Sequence, residues 1–261
     1  MKDMVPEGAG LSFAQVEVQG MRPPAALHPV HPLRMQPANL NAALNGIAQA
    51  GRAAQADPEG GYAGTGKRVL DLLLVVLSLP LVLPLIGFCA AALWLEGGQP
   101  FYTQSRLGRG GKAFRILKLR TMVRDADALL QRCLDSDPAL RREWDETQKL
   151  KNDPRITRVG RLLRATSLDE LPQLWNVARG DMSLVGPRPM MPEQLQLYGD
   201  ARAYFALRPG ITGLWQVSVR NEAGFGSRVR ADFEYQRGLS LGLDLGLIWR
   251  TVGVVLKGTG Y

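Results

Sequence analysis

Two adjacent carboxylates, Asp169 and Glu170, are the side chains whose type and spacing are best suited to chemistry. Ser167 stands three residues before Glu170, and this capping-box pattern predicts a helix that starts here and runs from Leu168 to Val177. The same position could serve a reaction, because a helix N-terminus attracts anions such as phosphate. Adjacent helical residues point about 100° apart, so one carboxylate could attack a phosphorus atom while the other binds a divalent cation such as Mg²⁺. The spacing alone leaves both interpretations open.

Lysine and arginine residues occur on both sides of these acids. Phosphoryl transfer needs stabilisation of negative charge more than covalent help, so cations near a carboxylate and a metal suit that reaction. Arg188 and Arg208 each adjoin a proline, which fixes the local backbone and holds the side chain in place. The alternative for any single cation is a solvated surface charge. The candidate cations are Lys118, Arg120, Arg161, Arg164, Arg188 and Arg208.

The composition of the chain limits which side chains could catalyse a reaction and which classes of molecule it is expected to bind. The 261 residues carry a formal charge of +8, which favours nucleic acid, an anionic membrane surface or phosphorylated substrates as partners. The only histidines, His28 and His31, lie in a proline-rich stretch, so histidine base catalysis and zinc chemistry are not expected in the folded part. Two cysteines, Cys89 and Cys133, cannot build a disulfide framework and indicate a reducing compartment.

The N-terminal third of the chain divides into a tail and an apolar segment. Residues 1–66 are rich in Pro, Gly, Ala and Gln, and this composition predicts a poorly ordered tail. From Val69 to Leu95 the chain is almost wholly apolar, with Asp71 as its only charge. A helix of this length, about 40 Å, is long enough to cross a bilayer core of about 30 Å.

Two features of the apolar segment favour a re-entrant hairpin, spanning residues 67–96, over one spanning helix. Pro80 and Pro84 remove backbone donors in the middle of the segment and favour a kink. Basic residues flank both ends, so the positive-inside rule places both ends on the cytoplasmic face. A single spanning helix and a buried core helix of a soluble protein are the alternatives.

The rest of the sequence, residues 97–261, predicts an α+β domain that is mainly helical. Two short strands, Phe101 to Arg106 and Phe114 to Leu119, are expected to form a hairpin around the Gly108-Arg-Gly-Gly turn. The apolar stretch Leu239 to Leu256 predicts an amphipathic helix that lies either in the membrane interface or against the core. The other expected features are a helical run from Arg124 to Lys151 broken at Asp137-Pro138, a helix from Ile156 to Arg164, and a loop from Asp181 to Pro189.

Several sequence blocks, taken together and in order, resemble the bacterial sugar transferase family, the monotopic polyprenol-phosphate phosphoglycosyl transferases, in its exopolysaccharide and capsule branch. The resemblance runs from about Lys67 to the C-terminus. The blocks are Lys67-Arg68 with Asp71, Phe101-Tyr-Thr-Gln-Ser-Arg106, Phe114-Arg-Ile-Leu-Lys-Leu-Arg-Thr-Met122, Asn152-Asp-Pro-Arg-Ile-Thr157, Ser167-Leu-Asp-Glu-Leu-Pro-Gln-Leu-Trp-Asn176, Gly180-Asp-Met-Ser-Leu-Val-Gly-Pro-Arg-Pro189 and Arg208-Pro-Gly-Ile-Thr-Gly-Leu-Trp-Gln216.

The resemblance implies a specific reaction at the cytoplasmic face of the bacterial inner membrane. Asp169 would attack the β-phosphate of a UDP-sugar, UMP would leave, and undecaprenyl phosphate would take the hexose-1-phosphate from the enzyme. This step would initiate a polysaccharide repeat unit. Glu170, with Asp169, is implied in binding Mg²⁺. The implied phosphate and nucleotide contacts are Lys118, Arg164, Arg188 and Arg208.

The sequence departs from the family pattern at two places. The helix break, where the family often has Ser-Pro, is Leu83-Pro84 here, so Pro84 keeps the break but a hydroxyl is lost. Ser218-Val219 replaces a common Asn-Gly or Ser-Gly pair, and this change leaves the sugar specificity undefined.

The alternative to an enzyme is a non-catalytic, membrane-tethered basic protein. Nucleic acid is not an expected partner, because the basic residues are not interleaved with stacking aromatics. Membrane lipids are expected partners, and homo-oligomerisation is left open.

Overall fold

The computed structural model describes residues 61–147, 150–218 and 225–256. A π-helical turn over Tyr62–Gly66 continues directly into the long helix α1 over Lys67–Leu95, and both Pro80 and Pro84 lie inside α1. By length and composition, this continuous helical segment could cross a membrane. Residues 1–60 of the predicted tail lie outside the described residues, and the first described helical turn begins at Tyr62, before the predicted boundary at residue 67.

One face of α1 is buried along the whole length of the helix. Asp71, Val75, Val82, Cys89 and Leu93 are each less than a tenth exposed, and their spacing of four or seven residues puts them on one side. The remaining surface is apolar and exposed. The large exposed side chains of α1 are Val69, Leu72, Leu73, Val76, Leu77, Leu81, Leu83, Phe88, Trp94 and Leu95.

The predicted β-hairpin is confirmed. Strand β1 spans Phe101–Leu107 and strand β2 spans Ala113–Leu119, paired antiparallel with Phe101 opposite Leu119. A 3₁₀ turn at Arg109–Gly111 connects them. The two strands form a small sheet that packs against α1 through Ile116 and Leu119.

The helical region after the hairpin is broken where the sequence predicts. Helix α2 spans Ala126–Ser136 and helix α3 spans Pro138–Thr147, so the break at Asp137-Pro138 is confirmed. Helix α4 spans Arg158–Ala165 and begins with the Thr157 side chain accepting a hydrogen bond from the backbone of Gly160.

The predicted capping box at Ser167 is wrong. Ser167 has φ 56°, in the left-handed region, and its side chain makes no capping bond. Leu168–Glu170 forms a single 3₁₀ turn, and helix α5 begins only at Gln173 and ends at Arg179. The Glu170 side chain bonds to Lys118 instead of returning to the backbone of Ser167, so a contact distant in sequence replaces the local one.

The segment predicted as a loop, Asp181 to Pro189, contains a short strand. Strand β3, Ser183–Val185, pairs in parallel with strand β4, Gly210–Thr212. The two strands are three residues each and lie 25 residues or more apart in sequence, so no local pattern reports their pairing. Between them lie a 3₁₀ turn at Pro192–Gln194, helix α6 over Leu195–Tyr198 and helix α7 over Arg202–Ala206.

The last three helices complete the described chain. Helix α8 spans Leu214–Ser218, helix α9 spans Phe225–Gly238 and helix α10 spans Leu241–Leu256. One face of α10 packs on the core through Leu247, which is 1 % exposed, whereas Trp249 on another face is 78 % exposed. The core-packing interpretation is therefore confirmed for one face of the helix, and a position in the membrane interface stays a prediction for the exposed apolar face.

Polar contacts attach the start of α1 to this domain. Lys67 Nζ lies 2.6 Å from Asp244 Oδ2 of α10. Arg68 donates to two backbone carbonyls in the last turn of α5. The Asp71 carboxylate accepts a hydrogen bond from the Leu184 backbone nitrogen at 2.9 Å. The only charge within the apolar segment is thus satisfied by the protein itself.

Candidate active site

The two adjacent acids lie on the 3₁₀ turn between α4 and α5. Ser167, in its left-handed conformation, turns the chain sharply after α4, and the Glu170 backbone nitrogen bonds to the Ser167 carbonyl at 3.2 Å. A non-glycine residue rarely adopts this conformation, so Ser167 has a strained backbone. Strained residues of this kind cluster at functional sites. The turn holds Asp169 and Glu170 half-buried and leaves neither side chain needed to cap a helix.

Lys118 of β2 forms an ion pair with Glu170. Its Nζ lies 2.6 Å from Glu170 Oε1, and both side chains are about one fifth exposed. Asn176 of α5 fixes the position of this strand, because its side chain accepts from the Leu117 backbone nitrogen and donates to the Arg115 carbonyl. One buried amide therefore sets the spacing between the strand that carries Lys118 and the segment that carries the acids.

Arg164 approaches the acids from the last turn of α4. Its Nε donates to Thr121 Oγ1 at 2.8 Å, just beyond the end of β2. Gly160 allows this approach, since a Cβ atom at that position would lie 2.2 Å from the Thr121 carbonyl oxygen. The Thr157 backbone nitrogen also bonds to that carbonyl. A close contact between α4 and the end of β2 thus positions Arg164.

Burial is the largest influence on the pKa of the Asp169 carboxyl, and it raises this pKa. The negative charge of Glu170 also raises the pKa, whereas the charges of Lys118 and Arg164 lower it, and the resulting pKa is about 6. At pH 7 a group with this pKa is about nine tenths ionised. Asp169 is therefore a poorly solvated carboxylate that is stabilised by two nearby cations, a state that suits a nucleophile.

For Arg188 and Arg208 the described interactions are the following. Arg188 acts electrostatically on two further arginines, Arg106 and Arg228. Arg208 Nε donates to the Gly180 carbonyl at 3.1 Å. Lys118 and Arg164 are the two predicted cations with described interactions at the acids.

Three residues that position the site were not singled out from the sequence: Thr121, Gly160 and Asn176. Asn176 is the last residue of the sequence block that contains the acids. Its role could not be predicted from that block, because its two backbone partners lie about 60 residues away in sequence. Thr121 and Gly160 act through a close contact between α4 and the backbone just after β2, and local sequence patterns do not predict such a contact.

The carboxylate oxygens of Asp169 and Glu170 are ligands of the kind that magnesium binds. Mg²⁺ takes oxygen ligands and at phosphoryl-transfer sites uses one or two carboxylates with substrate phosphates and water. Asp169 and Glu170 offer two adjacent carboxylates. Within the described ranges no cluster of three or more His, Cys, Asp or Glu side chains is suited to a metal, so further ligands would come from the substrate and water.

Comparison with known proteins gives one family and several relatives. The model of the family described as bacterial sugar transferase matches residues 62–258. A UDP-galactose-lipid carrier transferase of Erwinia amylovora is 49 % identical over 195 residues, which cover 74 % of this chain and 41 % of the relative. The exopolysaccharide production protein ExoY of Sinorhizobium fredii is 44 % identical over 202 residues, covering 76 % of this chain and 88 % of the relative.

A third relative is an undecaprenyl-phosphate galactose phosphotransferase of Salmonella typhimurium. It is 44 % identical over 195 residues, which cover 74 % of this chain and 41 % of that protein. The chain thus spans about two fifths of the length of the Erwinia and Salmonella proteins and most of the length of the Sinorhizobium protein.

Proposed function

The chain belongs to the bacterial sugar transferase family, and on this premise we propose that it transfers a hexose-1-phosphate from a UDP-sugar to undecaprenyl phosphate and releases UMP. The relatives' names include a UDP-galactose-lipid carrier transferase, an undecaprenyl-phosphate phosphotransferase and an exopolysaccharide production protein. The observation that carries the proposal is the half-buried Asp169, which is mostly ionised at neutral pH and is stabilised by the charges of Lys118 and Arg164.

The proposed reaction has two displacements at the same phosphorus atom. A carboxylate oxygen of Asp169 forms a bond to the β-phosphorus, the bond to the oxygen that bridges the two phosphates breaks, and UMP leaves with that oxygen and its electron pair. A phosphate oxygen of undecaprenyl phosphate then attacks the phosphorus, and the carboxylate of Asp169 is released. The product is a lipid-linked diphosphate sugar, and the enzyme returns to its starting state.

Charges around Asp169 support this chemistry. Lys118 and Arg164 act on the carboxylate, and the same cations would stabilise negative charge that builds on phosphate oxygens in the transition state. Mg²⁺, held by Glu170 and Asp169, would neutralise diphosphate charge when bound. Glu170 and Lys118 form an ion pair in this structure, so Lys118 and a Mg²⁺ ion held by Glu170 would lie close enough to stabilise the same phosphate group.

The packing of α1 supports a re-entrant position in the cytoplasmic leaflet of the inner membrane. The N-terminal half of α1 shares a hydrophobic cluster with Ile116, and the C-terminal half shares one with Leu119. These two residues of β2 lie only about 10 Å apart along the strand. Glu96, just after α1, also accepts a hydrogen bond from the Val159 backbone nitrogen of α4. Both ends of the helix thus contact the same domain, as a bend at Pro80 or Pro84 would require.

The non-catalytic tether accounts poorly for the site. A tether gains nothing from a carboxylate whose burial disfavours its charge, nor from a strained turn that presents it. Exposed apolar faces on α1 and α10 suit membrane attachment under either function, so they do not discriminate between the two.

Release of UMP tests the proposal. Purified protein in detergent is given Mg²⁺, undecaprenyl phosphate and one UDP-sugar at a time. UMP release that depends on one sugar and on the lipid is expected, and it would name the donor. No release with any UDP-hexose would overturn the proposed reaction in favour of a tether or a different donor.

A further inference from the structure

A short segment just before α4, residues 153–157, is joined by its backbone to the residues that follow β2. Ile156 and Met122 form an antiparallel bridge, and the Val123 backbone nitrogen bonds to the Arg155 carbonyl at 2.9 Å. The segment leads directly into α4. The position of α4 relative to β2 therefore depends on the conformation of this segment.

A buried ion pair between Asp153 and Arg155 fixes the start of the segment. The backbone nitrogen and Nε of Arg155 both donate to Asp153 Oδ1, at 3.0 and 2.8 Å, and its Nη2 donates to Oδ2 at 2.7 Å. The two residues are 7 % and 8 % exposed. The ring of Trp144 in α3 lies 5.1 Å from the Arg155 guanidinium, so an aromatic face covers the pair.

Stability alone accounts poorly for a charged pair in this position. Removing two charges from water costs about as much as their attraction returns, so apolar side chains of similar volume often stabilise a fold equally well. Asp153 nevertheless keeps its charge. Burial raises the pKa of its carboxyl, but the hydrogen bonds and charge of Arg155 outweigh burial and hold the pKa below its usual range. A charged Asp153 is therefore present at neutral pH.

The charged pair acts on Arg164, the cation that α4 brings to the acids. Burial lowers the pKa of the Arg164 guanidinium, the negative charges of Asp169 and Asp153 raise it, and the positive charge of Arg155 lowers it. Arg164 Nε is fixed by its bond to Thr121 Oγ1, beside the residues that pair with the segment. Arg164 is thus within electrostatic range of two acids, the candidate nucleophile and Asp153.

We propose that Asp153, which Arg155 holds in place, is a positioning residue for Arg164. It keeps the guanidinium directed at the phosphate group that Asp169 attacks, and it acts through Arg164 without touching the reacting atoms. This role rests on the proposed function, because it requires Arg164 to stabilise charge on the transferred phosphate. A displacement of about 1 Å at such a group is enough to slow a reaction severely.

Removing both charges together tests this role in the full chain. Asp153→Asn keeps an acceptor oxygen for the backbone nitrogen of residue 155, and Arg155→Met fills the volume of the arginine stem against Trp144. This pair variant is expected to fold, as thermal unfolding would show, because neither charge is left buried alone. Its kcat for UMP release is expected to fall about tenfold or more, with the KM for the UDP-sugar within about threefold of the wild type.

The chain offers a matched control in Asp200 and Arg202. They form the same kind of pair at the same spacing, with the Arg202 backbone nitrogen, Nε and Nη2 all donating to the Asp200 carboxylate. The Arg202 side chain is 72 % exposed and the Asp200 side chain 39 %. Asp200→Asn with Arg202→Met is therefore expected to leave kcat within about twofold of the wild type, since exposed pairs contribute little.

A double-mutant cycle with Arg164→Lys separates positioning from a general structural role. This substitution keeps the charge but loses the planar fork that Asp153 is proposed to orient. Adding the pair variant to Arg164→Lys is expected to lower kcat by no more than about twofold further, because residues that act through one another are not additive. The same loss of kcat in both backgrounds would show that the pair acts independently of Arg164 and would overturn the proposal.

The NMR signal of the Arg164 Nε–H group gives a readout that needs no turnover. In protein labelled with ¹⁵N-arginine, this signal is identified by its absence in Arg164→Lys. The pair variant is expected to move it towards the position of a solvent-exposed arginine, because the bond to Thr121 Oγ1 is weakened. An unmoved signal in a folded pair variant would contradict the positioning role. Should the pair variant fail to fold, Arg155→Lys keeps the charge, and it is expected to move the signal and lower kcat by a smaller factor.

Failure of the positioning role and failure of the proposed reaction give different results. A wild type that releases no UMP from any UDP-sugar, but whose Arg164 signal moves in the pair variant, loses the reaction and keeps the control of Arg164 by Asp153. A wild type that releases UMP, with a pair variant whose kcat and Arg164 signal are both unchanged, keeps the reaction and loses the positioning role.

Discussion

At the scale of single residues, Ser167 and Asp169 show how the site is prepared. Ser167 adopts a left-handed backbone conformation that a serine reaches at a cost of about 1 kcal/mol. This turn places Asp169 where burial raises its pKa to about 6. The strain and the desolvation are both unfavourable for stability, so we infer that both are retained for reactivity.

Replacing Asp169 with Asn is expected to lower turnover by at least about a thousandfold, since only binding and charge stabilisation would remain. The measurement is UMP released from the UDP-sugar in a single turnover without lipid. The wild type is expected to release about one UMP per enzyme, and the variant none. Asp135→Asn is the control, because Asp135 is exposed in an ion pair with Arg141. An Asp169→Asn variant with near-normal turnover would exclude this residue as the nucleophile.

Asp232 is expected to make stability depend on pH. Burial raises its pKa from 3.8 to about 7, opposed by the Tyr198 hydroxyl and by Arg228, and Tyr204 also faces it. Because the folded pKa lies above the unfolded one, protonated Asp232 stabilises the fold. This contribution is present below about pH 4 and is lost as the pH rises through about 7.

The stability of Asp232→Asn should therefore fall less than that of the wild type between pH 5 and 8. One proton contributes a slope of up to about 1.4 kcal/mol per pH unit, measured by urea unfolding at each pH. Asp135→Asn should keep the wild-type slope. Equal slopes for Asp232→Asn and wild type would show that Asp232 is ionised throughout this range.

At the scale of elements, the site depends on how closely β2 and α4 approach. Asn176 fixes β2 to α5 through two backbone bonds, and Gly160 lets α4 touch Thr121. These contacts hold Lys118 and Arg164 near the acids. A shift of about 1 Å in either element would weaken the alignment that phosphoryl transfer needs.

Gly160→Ala tests this close approach. The added Cβ would lie 2.2 Å from the Thr121 carbonyl oxygen, so α4 must move away and carry Arg164 with it. The expected result is a stability loss of about 1–3 kcal/mol and a fall in kcat of tenfold or more. Gly246→Ala in α10 is the matched control, since nothing lies within 4 Å of its added Cβ. Normal kcat in Gly160→Ala would show that the contact does not position Arg164.

At the scale of the whole molecule, α1 is both an apolar surface and a structural element of the domain. Its buried face joins two of the hydrophobic clusters, and its first turn is bonded to α5, α10 and β3. Its exposed face ends with Trp94 and Leu95, which are 69 % and 80 % exposed. Such a surface is stable only against lipid or another apolar surface.

Both flanks of α1 are expected to face the cytosol. Single cysteines replace Thr65 and Lys112, which are exposed on either side of the helix, in a background with Cys89→Ala and Cys133→Ser. A membrane-impermeant thiol reagent applied to inverted membrane vesicles, whose cytoplasmic face is outward, should label both positions. Labelling of the two positions from opposite sides would contradict the re-entrant arrangement and support a spanning helix.

Much of the fold is predictable from local sequence, because its elements are defined by residues close together in the chain. The β-hairpin follows from alternating strands around glycines, the α2–α3 break from Asp137-Pro138, and the long apolar helix from its composition. The acids and cations were recognisable because motif residues lie within short blocks.

Tertiary structure alone decided how these residues combine. Glu170 bonds to Lys118, 52 positions away, and not to its local cap. Arg188, predicted beside the acids, interacts with Arg106 and Arg228 from two other elements. The β3–β4 pair and the Gly160 contact join segments with no shared local pattern. Local sequence specifies backbone preferences and motif identity, whereas burial and long-range electrostatics depend on which segments meet in the folded chain.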